Sequence, residues 1–403
     1  MQEISAYLHL HCAPMDLDSA ALPIDQWALS PDVMHLNHGS YGGCPRSVIE
    51  TATMIRAQLE AAPMMFYVLH WQLLVDRARA TLAAFIHAPA EQLVFVPNAT
   101  HGVATAISSC TLAANDEILI TNHTYRAVRN QVTRIAATHG ARVVVATVPL
   151  PFDPDQCVAA IAGATTVRTR LVVLDHITSA TAIVMPLERI LPPLRERGIQ
   201  IVIDGAHAAG QIDLDVGALG ALGVTYYAGN NHKWLCAPKS TGFLVATGPV
   251  RPIVTSHGAS AEYGPDNRLH AELDWVGTYD PAPQLSVPAA IAALAEVGTP
   301  AAIHARNHGL VLALRDRLIS ELGAGAQLAP DASLGAMAAI AVKLPPNTTP
   351  GGLTEQLLRD GFELPVVDWP GQPLIRISAH LYNDVHHIEP LLVKLRELGV
   401  TRG

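Results

Sequence analysis

Between residues 93 and 246 the chain alternates short, nearly uninterrupted apolar runs with amphipathic segments, and that alternation leaves few folds open. The runs cover 93–96, 117–121, 142–148, 170–175, 200–204, 224–228 and 242–246, several of them β-branched. Strands covered on both faces read this way. The segments between them, such as 100–110, 125–139 and 186–198, carry helical spacing. Strand–helix alternation predicts an α/β domain around a mainly parallel sheet. Ligands of such sheets sit beyond the C-terminal strand ends.

The flanks differ. Residues 1–40, with Pro14, Pro23 and Pro31, read as an N-terminal arm packing near the site. Helices are expected over 45–62 and 73–87, the latter from Leu74, Ala78, Leu82 and Phe85. Beyond 284 come helices at 287–297 and 301–322, strands near 338–343 and 374–378, and helices at 353–360 and 385–398. The expected division is an arm at 1–40, a large α/β domain at 41–284 and a small α+β domain at 285–403.

A chain of 403 residues, half hydrophobic, can bury a large core, and its net charge of −9 argues against a nucleic-acid or anionic-membrane surface. The five cysteines are scattered without a C-x-x-C pair, which fits a reducing cytoplasm. Met1–Ile4 lacks the basic start of a signal peptide, and no stretch of about 18 apolar residues reads as membrane-spanning. The expectation is a cytoplasmic protein acting on a small molecule, with no nucleic acid and no membrane. The 19 histidines, including His9 with His11 and His386 with His387, form no H-E-x-x-H or comparable ligand spacing, so no metal is expected.

Lys233 lies between His232 and Trp234 after a run of small and polar residues, an unusual setting for a solvated lysine. In a partly apolar pocket its amine becomes a nucleophile and Schiff-base former. Asp204 ends the apolar run at 200–204, 29 residues earlier. This carboxylate and this amine match what pyridoxal 5'-phosphate (PLP) requires: a lysine to link it, and an aspartate to keep its ring nitrogen protonated. Around Asn98, Ala99 and Thr100, helix N-terminal amides and a hydroxyl suit a phosphate, although a helix-capping role would explain Thr100 as well. His123 and Tyr125 offer two rings for stacking, one of which can equally pack under the sheet. Thr178 and Ser179 supply hydroxyls at a strand end or simply form a turn. Arg376 sits inside an apolar strand, either gripping a carboxylate or closing a structural salt bridge. The glycine-rich stretch 39–43 marks a close backbone approach. It lacks the G-x-G-x-x-G spacing of dinucleotide folds, and no G-x-S-x-G elbow appears.

Asn37-His38-Gly39-Ser40-Tyr41-Gly42, Asn98-Ala99-Thr100, Asp204-Gly205-Ala206-His207 and His232-Lys233-Trp234 resemble the class V aminotransferase superfamily, in its isopenicillin N epimerase-like branch. Trp275–Pro281, Arg376-Ile377-Ser378 and Tyr382-Asn383 extend the resemblance over nearly the whole chain from residue 33. It implies a fold type I homodimer with active sites at the subunit interface. By the same resemblance Lys233 is the Schiff-base lysine, Asp204 the ring-nitrogen partner and Tyr125 the stacking ring. Ala99, Thr100, Asn230 and His232 belong to the phosphate end, with Thr178 among the cofactor contacts and His207 near the ring hydroxyl. Thr278 reaches the neighbouring subunit's phosphate. Arg376 binds the substrate carboxylate, and Asn37 meets the substrate.

Two departures bear on the reaction. Cysteine desulfurases of the superfamily carry a reactive cysteine shortly before that arginine, and 367–372 contains none, which disfavours persulfide chemistry. Met65 stands near where an arginine is common in this branch. Lys233 is expected to remove the substrate Cα proton. Several relatives in the branch are C–S lyases, in ergothioneine and lincosamide pathways among others, so β-elimination from a cysteine S-conjugate ranks first. Epimerisation follows, then transamination, with a PLP-binding protein without turnover as the non-enzymatic alternative. Pocket walls are expected from 62–71, 256–276 and the partner subunit.

Overall fold

The computed structural model describes residues 16–254, 268–322 and 327–402. Part of the expected arm (1–15, with His9 and His11) and part of the expected pocket wall (256–267) lie outside them.

A seven-stranded sheet forms the centre of the large unit. From edge to edge its strands are Leu93–Val96, Gly242–Ala246, Tyr226–Asn230, Gln200–Gly205, Thr169–Asp175, Glu117–Thr121 and Arg142–Ala146. Gly242–Ala246 runs antiparallel to both its neighbours and the other pairings are parallel, so the sheet is mainly parallel as expected. The inner strands are buried along almost their whole length, which is why they read as unbroken apolar runs. Arg142–Ala146, at the edge, keeps exposed positions.

The helices between strands have readable ends. Asn98 caps Ala99–Ser109 by accepting the His101 N–H at 2.9 Å. Asp153 caps Pro154–Ala164, with Pro154 in the first turn where its missing N–H costs nothing. Gly140, at φ +65°, closes Arg126–His139. The segment after Ala62 stays helical, passing from Pro63–Met65 through a π-turn at Phe66–His70 into Trp71–Phe85. π-bulges inside helices are frequent at functional sites.

The small unit is an antiparallel sheet, ordered Val366–Trp369, Gln372–Ser378, Met337–Lys343 and Thr401–Arg402. Pro300–Leu322 and Ile388–Glu397 pack together, and the former lies against Met337–Lys343. Val287–Val297 instead packs on Arg46–Ala61 and Trp71–Phe85. The N-terminal segment belongs largely with the small unit. Met34–His35 pairs with Phe362–Glu363, and Trp27 is fully buried edge-on to His380 and Tyr382. Among the described residues no single helix is long and apolar enough to cross a membrane.

Candidate active site

Three strands, Thr169–Asp175, Gln200–Gly205 and Tyr226–Asn230, end at a cleft of ≈ 190 Å³. Lys233, Asp204, Asn230, His207, Tyr125 and Thr100 all line it. Lys233 Nζ lies 3.1 Å from His207 Nε2. Burial, reinforced by the Arg376 charge and opposed by Asp204, brings its amine down to about 7. His207 is held far below the usual imidazole range by burial, so it is neutral beside the amine, and its Nδ1 has no partner.

The backbone of Lys233 is clamped from behind. Its carbonyl accepts a bond from Cys236 N at 3.0 Å and contacts His38 Nε2 at 3.0 Å. Gly42, at φ +71°, lies so close to the His232 carbonyl that no Cβ fits. The glycine-rich stretch thus approaches the Lys233 turn itself. His38, Cys236 and His380 cluster there, the two rings stacked at 3.8 Å with planes 14° apart. His38 Nε2 is already engaged by Lys233, so this cluster packs the back of the turn.

Asp204 Oδ1 accepts the Ala206 N–H at 3.0 Å, and burial raises its carboxyl above the ordinary range. Asn230 spans two walls: Oδ1 accepts the Ala99 N–H at 2.8 Å and Nδ2 reaches the Ala206 carbonyl at 3.4 Å. The Ala99 amide is therefore committed within the fold, while Thr100 stands exposed in the first helical turn. His232 Nδ1 contacts the Thr241 carbonyl at 3.1 Å, so that nitrogen carries the proton and Nε2 is an acceptor while the ring is neutral. Burial lowers His232 to about 4.

Of the two rings offered after the strand Glu117–Thr121, His123 is the buried one. It bonds Thr181 Oγ1 at 2.7 Å and the Val148 carbonyl at 3.0 Å, and packs on Trp369. Tyr125 is 44% exposed on the cleft wall. Thr178 does not line the cleft. Its hydroxyl pairs with Thr181 Oγ1 at 2.7 Å and accepts the Ile183 N–H at 2.8 Å, closing a turn that leaves Ser179 on the cleft. Thr278 is exposed and outside the cleft lining of its own chain.

Arg376 is buried, and the acceptors it meets are neutral. Its guanidinium donates to Asn37 Oδ1 at 3.0 Å, Ser40 Oγ at 2.7 Å and the Ser179 carbonyl, and Nε has no partner. Among the described residues no carboxylate pairs with it, which removes the structural salt bridge as its explanation. Burial lowers it to about 10. A buried guanidinium without a counter-charge suits an incoming carboxylate. Ser179, offered by the sequence as a strand-end hydroxyl, lines the cleft, and so do Ser40, Tyr41 and Asp175, to which the sequence assigned no role. Asp175 and Ser179 carry a usable signal, since both follow an apolar run at the ligand-binding edge of the sheet.

These groups fit PLP. A lysine amine held near neutrality faces a buried carboxylate, a helix N-terminus lies at one end, and the His207 ring has a nitrogen without a partner. The aminotransferase class-V family model matches residues 44–344. The chain is 37% identical over 397 residues to isopenicillin N epimerase of Amycolatopsis lactamdurans, covering 93% of this chain and 97% of that one. It is 33% identical to a putative L-cysteine desulfhydrase of Oryza sativa subsp. japonica, over 72% of this chain and 64% of the relative. The solved structure of a C-DES variant with glycine covalently linked to its PLP cofactor superposes with a TM-score of 0.79. That pairing has 23% identity and covers 94% of this chain and 100% of the other. The chain belongs to the class V aminotransferase family, and it is a PLP-dependent enzyme of fold type I.

Proposed function

We propose that the enzyme removes the Cα proton of an amino-acid substrate and completes a β-elimination, releasing a thiol from a cysteine S-conjugate. The observation that carries this reading is the Lys233 amine near 7, with a buried, unpaired Arg376 sharing its field. When bound, the cofactor supplies an electron sink for the bond broken at Cα. Thr100 and the helix N-terminus would take its phosphate, with His232 beside them. Asp204 would hold the charge at the ring nitrogen, Tyr125 would cover the ring, and His207 would sit by its hydroxyl.

Arg376, fixed by Asn37, Ser40 and Ser179, receives the substrate carboxylate and orients Cα toward Lys233. Lys233 Nζ takes the Cα proton. The electron pair left at Cα forms the Cα–Cβ double bond as the Cβ–S bond breaks, and sulfur departs with its pair. Hydrolysis of the remaining skeleton gives pyruvate and ammonium. One amine suffices for this sequence. Persulfide chemistry lacks support, because Val366–Trp369 turns into Gln372–Ser378 through Pro370 and Gly371 without a thiol. Cys236 is buried behind Lys233 with its thiol raised well above the usual range.

Epimerisation is the second reading, favoured by the 37% identity to an epimerase over nearly the whole of both chains. It needs a proton delivered from the face opposite Lys233, for which the cleft offers the phenols of Tyr41 and Tyr125. Turnover in D2O separates the outcomes. Pyruvate and free thiol from a cysteine S-conjugate support elimination. Deuterium at Cα with changed optical rotation and no thiol moves the assignment to epimerisation. Amine transfer to a keto acid points to transamination, and a bound cofactor with none of these leaves a binding protein.

We also propose a homodimer in a reducing cytoplasm. Met64 (79% exposed), Met65, Val68, Leu69 (64%) and Leu73 leave apolar side chains exposed along one helical segment, which suits a covering partner copy, and the described cysteines are free. Thr278 would reach the neighbouring site. Light scattering of the native protein and of Leu69→Glu checks the assembly.

A further inference from the structure

Asp204 has a role in this account, and the carboxyl beside it has none. Asp175 ends the strand Thr169–Asp175, and its register partner across the parallel pairing is Asp204. Register partners on adjacent strands project to the same face roughly 5 Å apart. Both are buried, at 4% and 5% exposure, and both line the cleft. Two carboxylates this close, away from water, resist double ionisation because the second charge meets the first.

Their surroundings decide which one keeps the proton. Asp204 accepts the Ala206 N–H and feels the Lys233 charge, both of which favour ionisation. The cation nearest Asp175 is Arg129, whose guanidinium is engaged by the Thr121 and Asn122 carbonyls. His176 and Tyr227, also packed at this edge, are hydrogen-bonded to each other at 2.8 Å. Burial, then the neighbouring Asp204 charge, raises Asp175 well above the carboxylate range.

We propose that Asp175 is a positioning residue of the cofactor pocket: it holds one proton at neutral pH so that the Asp175–Asp204 pair carries a single negative charge, on Asp204. The proposal rests on Asp204 being the ring-nitrogen partner. An ionised Asp175 would place two negative charges where the ring nitrogen requires one.

Infrared difference spectroscopy of the native protein against Asp175→Asn reads the proton directly, without turnover. The native protein should show the C=O stretch of a protonated carboxylic acid, shifted in D2O and lost in Asp175→Asn. Absence of that band in the native protein overturns the proposal. Cofactor dissociation gives an independent arm. Asp175→Asn, which mimics the protonated acid, should stay within about threefold of native, whereas Asp204→Asn should weaken binding about tenfold or more. If Asp204→Asn binds and absorbs like the native protein, the Asp204 assignment is wrong and the proposal falls with it. If Asp204→Asn behaves as expected and Asp175→Asn is equally damaged, the proposal alone fails.

Discussion

The cofactor end of the cleft is carried by one continuous sheet, whereas the carboxylate-binding end is assembled from segments far apart in the chain: 37–40, 179 and 376. At the cofactor end the charges face each other, Asp204 with Lys233, on strand ends whose register is fixed by burial on both faces. At the other end a guanidinium is surrounded by neutral oxygens and lacks a counter-ion among the described residues. Burying an unpaired charge is costly, so the fold retains it for what arrives later. The first end is organised for a resident group and the second for a transient one.

That contrast breaks if the two ends fail separately from how they are built. The largest effect is expected at Arg376. Arg376→Ala should lower kcat/KM by about 2–5 kcal/mol, mostly through KM, while the cofactor absorbance stays native. Arg376→Lys should recover only part of this, because a point charge cannot reproduce the planar fork. Equal loss of cofactor in Arg376→Ala would show that the ends are one unit.

Gly42 is where the ends touch. It follows the His38–Tyr41 turn that supports Arg376 and presses on the His232–Lys233 backbone at φ +71°. Gly42→Ala should cost about 1–3 kcal/mol of stability, from left-handed strain and collision. It should also loosen the lysine–cofactor link, which urea midpoints and absorbance measure together. A native urea midpoint would mean that the backbone yields at this contact.

The central sheet was legible because strands buried on both faces write themselves as apolar runs, with Asp204 at the end of one and Lys233 in the turn after another. Thr178 and Ser179 show the limit: both are hydroxyl residues at one strand end, and only the turn closed by Thr181 and Ile183 assigns one inward and the other to the cleft. The short pairing of Met34–His35 with Phe362–Glu363 joins segments with no local pattern to announce it. The Asp175–Asp204 pair was equally hidden, since register between strands is not written in either strand alone.

A smaller effect concerns pH. Burial holds His38 at about 3 and His176 at about 4, and His380 well below the usual range. Unfolded imidazoles bind protons near about 6.5, so between that value and the folded ones the unfolded state holds more protons. Stability from these residues is complete above about pH 6.5 and lost as pH falls toward 4. Asp175 and Asp204, raised in the fold, contribute in the opposite sense: their share is lost as pH rises, which softens the slope. Urea midpoints across pH 4–8 test this, and flat values below about 6.5 would mean that these histidines accept protons without unfolding.

The most direct measurement is the absorbance of the purified protein with PLP, native against Lys233→Ala. A visible band of lysine-linked cofactor is expected in the native protein and absent from Lys233→Ala, whose turnover should fall roughly 10⁴-fold while free cofactor still binds. A native band surviving in Lys233→Ala would contradict the assignment of Lys233 as the residue that links the cofactor and moves the proton.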